Sequence, residues 1–225
     1  MFHKIAIIMS IFVLCMLGYS LAVIYQASSY RDEVVTNDLK NGVWRIYEGR
    51  ERKLEVKVED IAQYRIDWLL AIQDPAFYHH DGIDLSTPGA GLTTVTQSIV
   101  KKLYFKQFKP GLRKYRQSLI ARFVVNEYIT KEEQLEIFIN SVYMDSVEGE
   151  EIYGFSQSSR VYFDKEFSQI SDDEYLSLVA MLIGPSQFNV MTKSQANSDR
   201  VKRIKSVISG EYQPKELNDL YYNRT

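Results

Sequence analysis

The stretch Gln73-Asp-Pro-Ala-Phe77-Tyr-His-His80-Asp-Gly82-Ile-Asp84 gathers three carboxylates and two imidazoles within twelve residues. Such groups can move a proton near neutral pH or hold a metal. Adjacent histidines seldom converge on one ion without the i,i+4 spacing of helical zinc motifs, so we expect no metal here. A loop-orienting or sugar-contacting role is expected for His80. About ten residues on stand Thr93, Thr94, Thr96 and Gln97. They read either as β-branched filler or as hydroxyls opening a helix, where free amides favour phosphate. From Lys101 to Asn126 the chain carries Lys101, Lys102, Lys106, Lys109, Arg113, Lys114, Arg116 and Arg122, and no acid. A solvated helix face normally mixes both signs, so this run predicts a surface for a phosphorylated anion or anionic lipid headgroups. Leu103, Tyr104, Phe105 and Phe108 interleave with it, as suits a segment at a bilayer interface. Glu136 and Asn140, at i and i+4, are expected to brace each other.

These groups need a scaffold, and the composition supplies one. With 225 residues, 45% hydrophobic and 25% charged, the chain suits one folded domain rather than a disordered tail. A formal charge of −2 argues against a nucleic-acid partner. Cys15 is the only cysteine, which excludes an intramolecular disulfide and multi-cysteine metal motifs. The run Ile5–Tyr25 has no charge and is long enough to cross a bilayer, while Tyr25-Gln26-Ala27 makes a poor cleavage site. Residues 1–30 are therefore expected to be a cytoplasmic stub and retained anchor, with 31–225 as the outside domain. Val43–Tyr47 and Leu54–Val58 around Gly49 predict a small β-hairpin. Helical periodicity covers Ile61–Ile72, Val95–Leu103, Leu112–Val125, Tyr175–Ile183 and about Ala196–Ile208. Thr130…Glu133 and Ser171…Glu174 mark two helix starts.

Four of the segments together resemble signatures of the family 51 peptidoglycan glycosyltransferases. Residues 73–82 are similar to E-D-x-x-F-x-x-H-x-G, matching at Asp74, Phe77, His80 and Gly82. Residues 91–102 resemble G-x-S-T-x-T-Q-Q-x-x-K-N, with Thr93 for serine and Ser98 for the second glutamine. Arg113–Ala121 is similar to R-K-x-x-E-x-x-x-A and Gln134–Asn140 to I-L-E-x-Y-L-N; Gly154–Lys165 and Pro185-Ser186 echo later elements. The resemblance implies a mainly α, lysozyme-like glycosyltransferase domain behind one transmembrane helix of the bacterial inner membrane. It further implies lipid II or nascent glycan, membrane lipids and other cell-wall synthesis proteins as partners. By the same resemblance Asp74, Phe77, His80, Thr93, Thr94, Thr96, Gln97, Lys101, Lys109, Arg113 and Lys114 contact substrate. The basic segment would be a membrane-dipping jaw. No cofactor is implied beyond a divalent cation such as magnesium.

Two departures shape the expected function. The family's first-signature glutamate removes a proton from the attacking hydroxyl, and this chain has Gln73 there, which holds no carboxylate. At the third-signature glutamate stands Gln117, or Ser118 if the register is counted back from Glu136. General-base loss alone forfeits roughly 10²–10⁴ in rate. The expectation is a polymerisation-impaired relative that binds lipid II or glycan as a regulator or scaffold. The alternative is an active polymerase using Asp74 or Asp81 as base. A lysozyme-like hydrolase is a weaker third, since no convincing carboxylate pair can be nominated.

Overall fold

The computed structural model describes residues 2–109 and 111–222. Helix α1 (Phe2–Tyr30) continues through a π-helical turn (Arg31–Val35) into Thr36–Lys40, so the boundary expected at residue 30 lies inside an unbroken helix. Every described side chain from His3 to Cys15 is exposed. From Val23 a buried stripe follows at Ala27, Arg31 and Val35, the i,i+4 spacing that keeps one helix face toward a neighbour.

That neighbour is α4 (Leu112–Ile120), prolonged through a second π turn (Ala121–Val125) to Asn126–Tyr128. Tyr19 and Tyr115 stack with centroids 6.5 Å apart, Ser20 Oγ lies 2.7 Å from the Tyr115 hydroxyl, and the Arg31 guanidinium sits 3.7 Å over the Tyr128 ring. Matching ends in this order mean that the two helices run parallel.

The remaining elements are α2 (Gln63–Gln73), α3 (Val95–Leu103), α5 (Lys131–Ser141), α6 (Gly154–Phe163), α7 (Asp172–Met181) and α8 (Ser194–Ile208). Two antiparallel hairpins complete a mainly helical domain: β1 (Val43–Arg45) with β2 (Glu51–Lys53), and β3 (Tyr143–Val147) with β4 (Glu150–Tyr153). The first hairpin is tighter than the sequence pattern predicts. Glu48 takes φ +56°, the Gly49 amide donates to the Ile46 carbonyl at 2.6 Å, and Trp44 pairs with Arg52. Leu54–Val58 is consequently not the second strand; instead Asn140 Oδ1 accepts the amides of Glu55 and Val56, and Glu136 Oε2 accepts that of Val58. Asn140 reaches only the backbone carbonyl of Glu136, so the expected brace holds this segment rather than joining the two side chains.

Helix α3 lies at the centre, packed against α4, α5 and β1, with Val95, Ile99 and Val100 at zero exposure. Both expected helix starts carry reciprocal caps, Thr130 with Glu133 and Ser171 with Glu174.

Candidate functional site

Gln73 ends α2, and the next residue turns inward. Asp74 is fully buried. Its Oδ2 accepts the Val95 amide at 2.8 Å, and its two oxygens lie 2.9 and 3.1 Å from His80 Nε2. His80 Nδ1 accepts the Gly82 amide at 3.0 Å, which assigns the ring proton to Nε2 and makes the imidazole the donor to Asp74. Thr94 Oγ1 donates to the Gly82 carbonyl at 2.8 Å. Gly82 has φ +81°, and a Cβ there would stand 2.6 Å from the Ala121 carbonyl oxygen, so only glycine fits. Lys131 closes the arrangement, donating to the His80 carbonyl at 3.0 Å with its ammonium 4.6 Å over the buried Phe77 ring. Asp74, Phe77 and His80 thus fasten the 74–84 loop to the start of α3, behind the cleft rather than on it.

In front of them opens a cleft of about 390 Å³, to which Gln73, Thr93, Ser98, Lys101 and Arg200 contribute polar atoms. Burial lowers the Lys101 ammonium from its usual range, and burial followed by repulsion from Lys101 lowers that of Lys114. Lys114 reaches the cleft rim, donating to the Leu92 carbonyl at 2.8 Å and to Thr93 Oγ1 and Gln97 Oε1 at 3.3 Å. Arg113 does not join them: it is exposed and donates to the Gln107 carbonyl at 2.6 Å. Lys109 is exposed and contributes nothing to the cleft lining.

The hydroxyl run divides likewise. Thr94 and Gln97 form a reciprocal cap on α3, and buried Thr96 donates to Gln134 Oε1 at 2.7 Å. Only Thr93 of the three threonines faces the cleft. The four residues expected to contact ligand are therefore one lining residue, two that cap the helix start and one, Thr96, that ties α3 to α5.

Gln117 is fully buried and outside the cleft lining; its Nε2 donates to the Gln97 carbonyl at 2.5 Å, and its Oε1 has no partner. A carboxylate in this position would oppose the same carbonyl. None of the neighbouring acids Asp74, Asp81 and Asp84 is among the cleft residues. Asp81 is exposed beside Arg122, 3.5 Å away. Burial raises the Asp84 carboxyl, but hydrogen bonds from Thr87 and Ser86 outweigh it and hold the group at about 2. Neither lines the cleft.

Sequence reasoning missed Arg200. It is 2% exposed, donates from Nε to the Ala180 carbonyl at 3.1 Å and from Nη1 to that of Leu220 at 2.9 Å, and burial lowers it to about 10, still charged at neutral pH. In sequence it is one of several cations on α8, and nothing local separates it from exposed Lys202. A second cavity, about 440 Å³, lies between the first hairpin and the start of α6. There Arg160 is held internally, Nη2 donating to Glu55 at 2.6 Å and Nη1 to Ser156 at 2.9 Å, and the lining includes neither Gln73 nor Lys101, so the smaller cleft is the better candidate.

Residues 40–209 match the model of the transglycosylase family. The chain belongs to that family. Among curated relatives of this transglycosylase domain, penicillin-binding protein 1B of Buchnera aphidicola is 34% identical over 137 residues, 55% of this chain and 18% of that protein. Penicillin-binding protein 1A of Neisseria cinerea is 25% identical over 196 residues, covering 78% and 24%. Penicillin-binding protein 1B of Vibrio cholerae is 29% identical over 163 residues, covering 67% and 21%. The transglycosylase-family chain thus spans no more than about a quarter of each of these relatives.

Proposed function

We propose that this chain is a membrane-anchored member of the transglycosylase family that binds lipid II or nascent glycan, polymerises it poorly or not at all, and acts as a regulator or scaffold of cell-wall synthesis. The carrying observation is the cleft itself, where a neutral amide at Gln73 stands beside two cations, Lys101 and Arg200. Cations at that position match the pyrophosphate of a lipid-linked saccharide, since charge-assisted hydrogen bonds are the stronger kind. The attacking hydroxyl, by contrast, finds no group to take its proton. Asp74 is committed to His80 and Val95, and Asp81 and Asp84 lie off the cleft.

The described lining contains no carboxylate. A divalent cation would meet only neutral oxygens and two positive charges, an unfavourable donor set for a hard ion, so no step is assigned to one.

The anchor reading rests on α1, which is long and apolar enough to cross a membrane. Its parallel contact with α4 bears on depth. Lys114 and Arg116 flank Tyr115, which touches Tyr19 and Ser20, so a hydrocarbon boundary at Tyr25 would immerse both cations. The outer boundary belongs near Gly18, leaving Tyr19–Tyr25 beside α4 instead of in lipid alone. Ile5–Gly18 then spans about 21 Å, and the membrane accommodates the shortfall by thinning or by snorkelling of Lys4.

The test is a lipid II polymerisation assay on the purified full-length chain, run beside a binding measurement. Binding without a product ladder is expected; a robust ladder abolished by moenomycin would overturn the reading.

A further inference from the structure

We propose that residues 211–222 form a strap that closes one side of the Gln73 cleft, so that the cleft admits the terminal sugar–pyrophosphate unit of a lipid-linked saccharide and excludes a continuing glycan strand. The inference rests on the binding reading above and adds to it the part of the ligand that is accepted.

The strap lies beyond the residues matched to the family, and it is tied down on both sides. On one side the amides of Gly89 and Gly91 donate to the carbonyls of Glu216 and Leu217 at 2.9 and 2.8 Å. Both glycines have positive φ, and a Cβ on Gly89 would stand 2.9 Å from Pro214 while one on Gly91 would stand 3.2 Å from Leu220. The close approach of loop and strap therefore depends on these two glycines. On the other side Arg200 Nη1 donates to the Leu220 carbonyl, and the hydroxyl of Tyr222, 1% exposed, donates to the Ile72 carbonyl at 3.3 Å. Ile72 directly precedes Gln73.

The segment thus bridges from the 89–91 loop to the end of α2, and Asn218, Leu220 and Tyr222 become part of the cleft wall beside the base position. A groove that threads a polymer has to stay open on both sides of the reacting sugar. This one is walled where the strap crosses, and its volume of about 390 Å³ is at the low end for ligand sites. Lys101 and Arg200 inside so small a space favour a compact, doubly charged group over a run of neutral sugars. Asn218 and Leu220 are the side chains that set this wall, since the strap's fastening to loop and helix runs through its backbone and Tyr222.

The experiment measures binding of two probes, lipid II and peptide-free glycan strands of six or more sugars, to the full chain in detergent. The proteins are the wild type, the double variant Asn218→Ala with Leu220→Ala, and a deletion of 211–225. Wild type is expected to prefer lipid II by at least tenfold. The double variant keeps its fastening bonds and should lose at least fivefold of that preference, chiefly by gaining strand binding. The deletion should lose more; should it unfold by circular dichroism because Arg200 is uncovered, the double variant still decides. An unchanged preference in the double variant, or wild-type binding of strands as tight as of lipid II, would overturn the strap. No lipid II binding by wild type, with strands bound only by the double variant, would sink the preceding functional reading and the accepted ligand proposed here, and would leave only the exclusion of strands by the strap. Absence of all binding by every protein would overturn both.

Discussion

Asp74 and His80 are joined through Nε2 at 2.9 Å, and the same carboxylate holds the first amide of α3 at 2.8 Å. One buried acid thus connects the loop after Gln73 to the helix that carries Lys101. Replacing Asp74 by Asn keeps the shape but turns an amide NH₂ toward one of two donors. A hydrogen bond to a charged group contributes about 1.5–3 kcal/mol, so melting in detergent should drop by roughly 3–12 °C. Lost lipid II binding at an unchanged melting temperature would instead mean that Asp74 touches ligand.

Restoring the acid at the third signature is expected to fail for a local reason. In Gln117→Glu the new carboxylate faces the Gln97 carbonyl, which now accepts from the Gln117 amide at 2.5 Å. Its folded pKa must rise above the unfolded value, because only the protonated acid can donate there. Stability relative to wild type is then best at low pH and is lost as pH rises through the raised pKa. Urea midpoints at pH 5 and pH 7.5 should show the larger deficit at 7.5. Gln73→Glu, on the open cleft, should fold normally and is the substitution to assay for recovered polymerisation; equal deficits at both pH values would refute the account of Gln117.

How much of this was readable from residues alone depends on range. Helix α3, the caps at Thr130 and Ser171 and the long apolar N-terminal helix follow from local spacing and agree with the structure. Thr94…Gln97 has the same cap spacing, yet its resemblance to a ligand-binding signature pointed to substrate contact; the cap is what the side chains make. Arg113 and Lys114 are consecutive on α4 and so point about 100° apart, and which of the two faces the cleft depends on how α4 packs against α3. Arg200 becomes a cleft residue only because α7 and the segment around Leu220 close over it.

Lys101 in the cleft and Lys114 at its rim should separate from the surface cations. Lys101→Ala with Lys114→Ala should weaken lipid II binding by about ten- to a hundredfold, given charge-assisted bonds of roughly 1.5–3 kcal/mol that are not additive. Lys106→Ala, Lys109→Ala and Arg113→Ala should leave that binding nearly intact and each cost about 1 kcal/mol on anionic liposomes, with strong salt dependence. Equal losses from both sets on both probes would reduce the segment to a diffuse positive surface.

Lys102 supplies a pH test of the packing of α3 on the second hairpin. Its ammonium lies 4.8 Å over Tyr153 and 5.4 Å over Tyr143, and burial, with a smaller push from Lys101, lowers it to about 8. Between about 8 and the ordinary lysine value the unfolded chain holds the proton and the folded chain does not, so stability rises with pH in that window. Measured against Lys102→Met, wild type should gain roughly 1–3 kcal/mol between pH 7 and pH 10 in denaturant titrations. A flat difference would show that the ammonium is solvated.

The depth of the anchor can be read from Cys15, the only cysteine and an exposed one. Packing on the domain begins just above it, with Met16 the first of the described side chains of α1 to be partly covered and Tyr19 the first of them stacked on α4. If the hydrocarbon boundary lies near Gly18, three residues on, a spin label at Cys15 sits about 5 Å below it at about 1.5 Å per residue. If the whole run to Tyr25 were lipid-embedded, the label would lie about 15 Å deep, close to the bilayer centre. Oxygen and nickel-chelate accessibilities in nanodiscs distinguish these depths, since the two quenchers partition oppositely with distance from the headgroups. A shallow label is expected. A label at the bilayer centre would require Lys114 and Arg116 to be immersed or α4 to swing away from α1, and breaking that contact with Tyr115→Ala should then leave the measured depth unchanged.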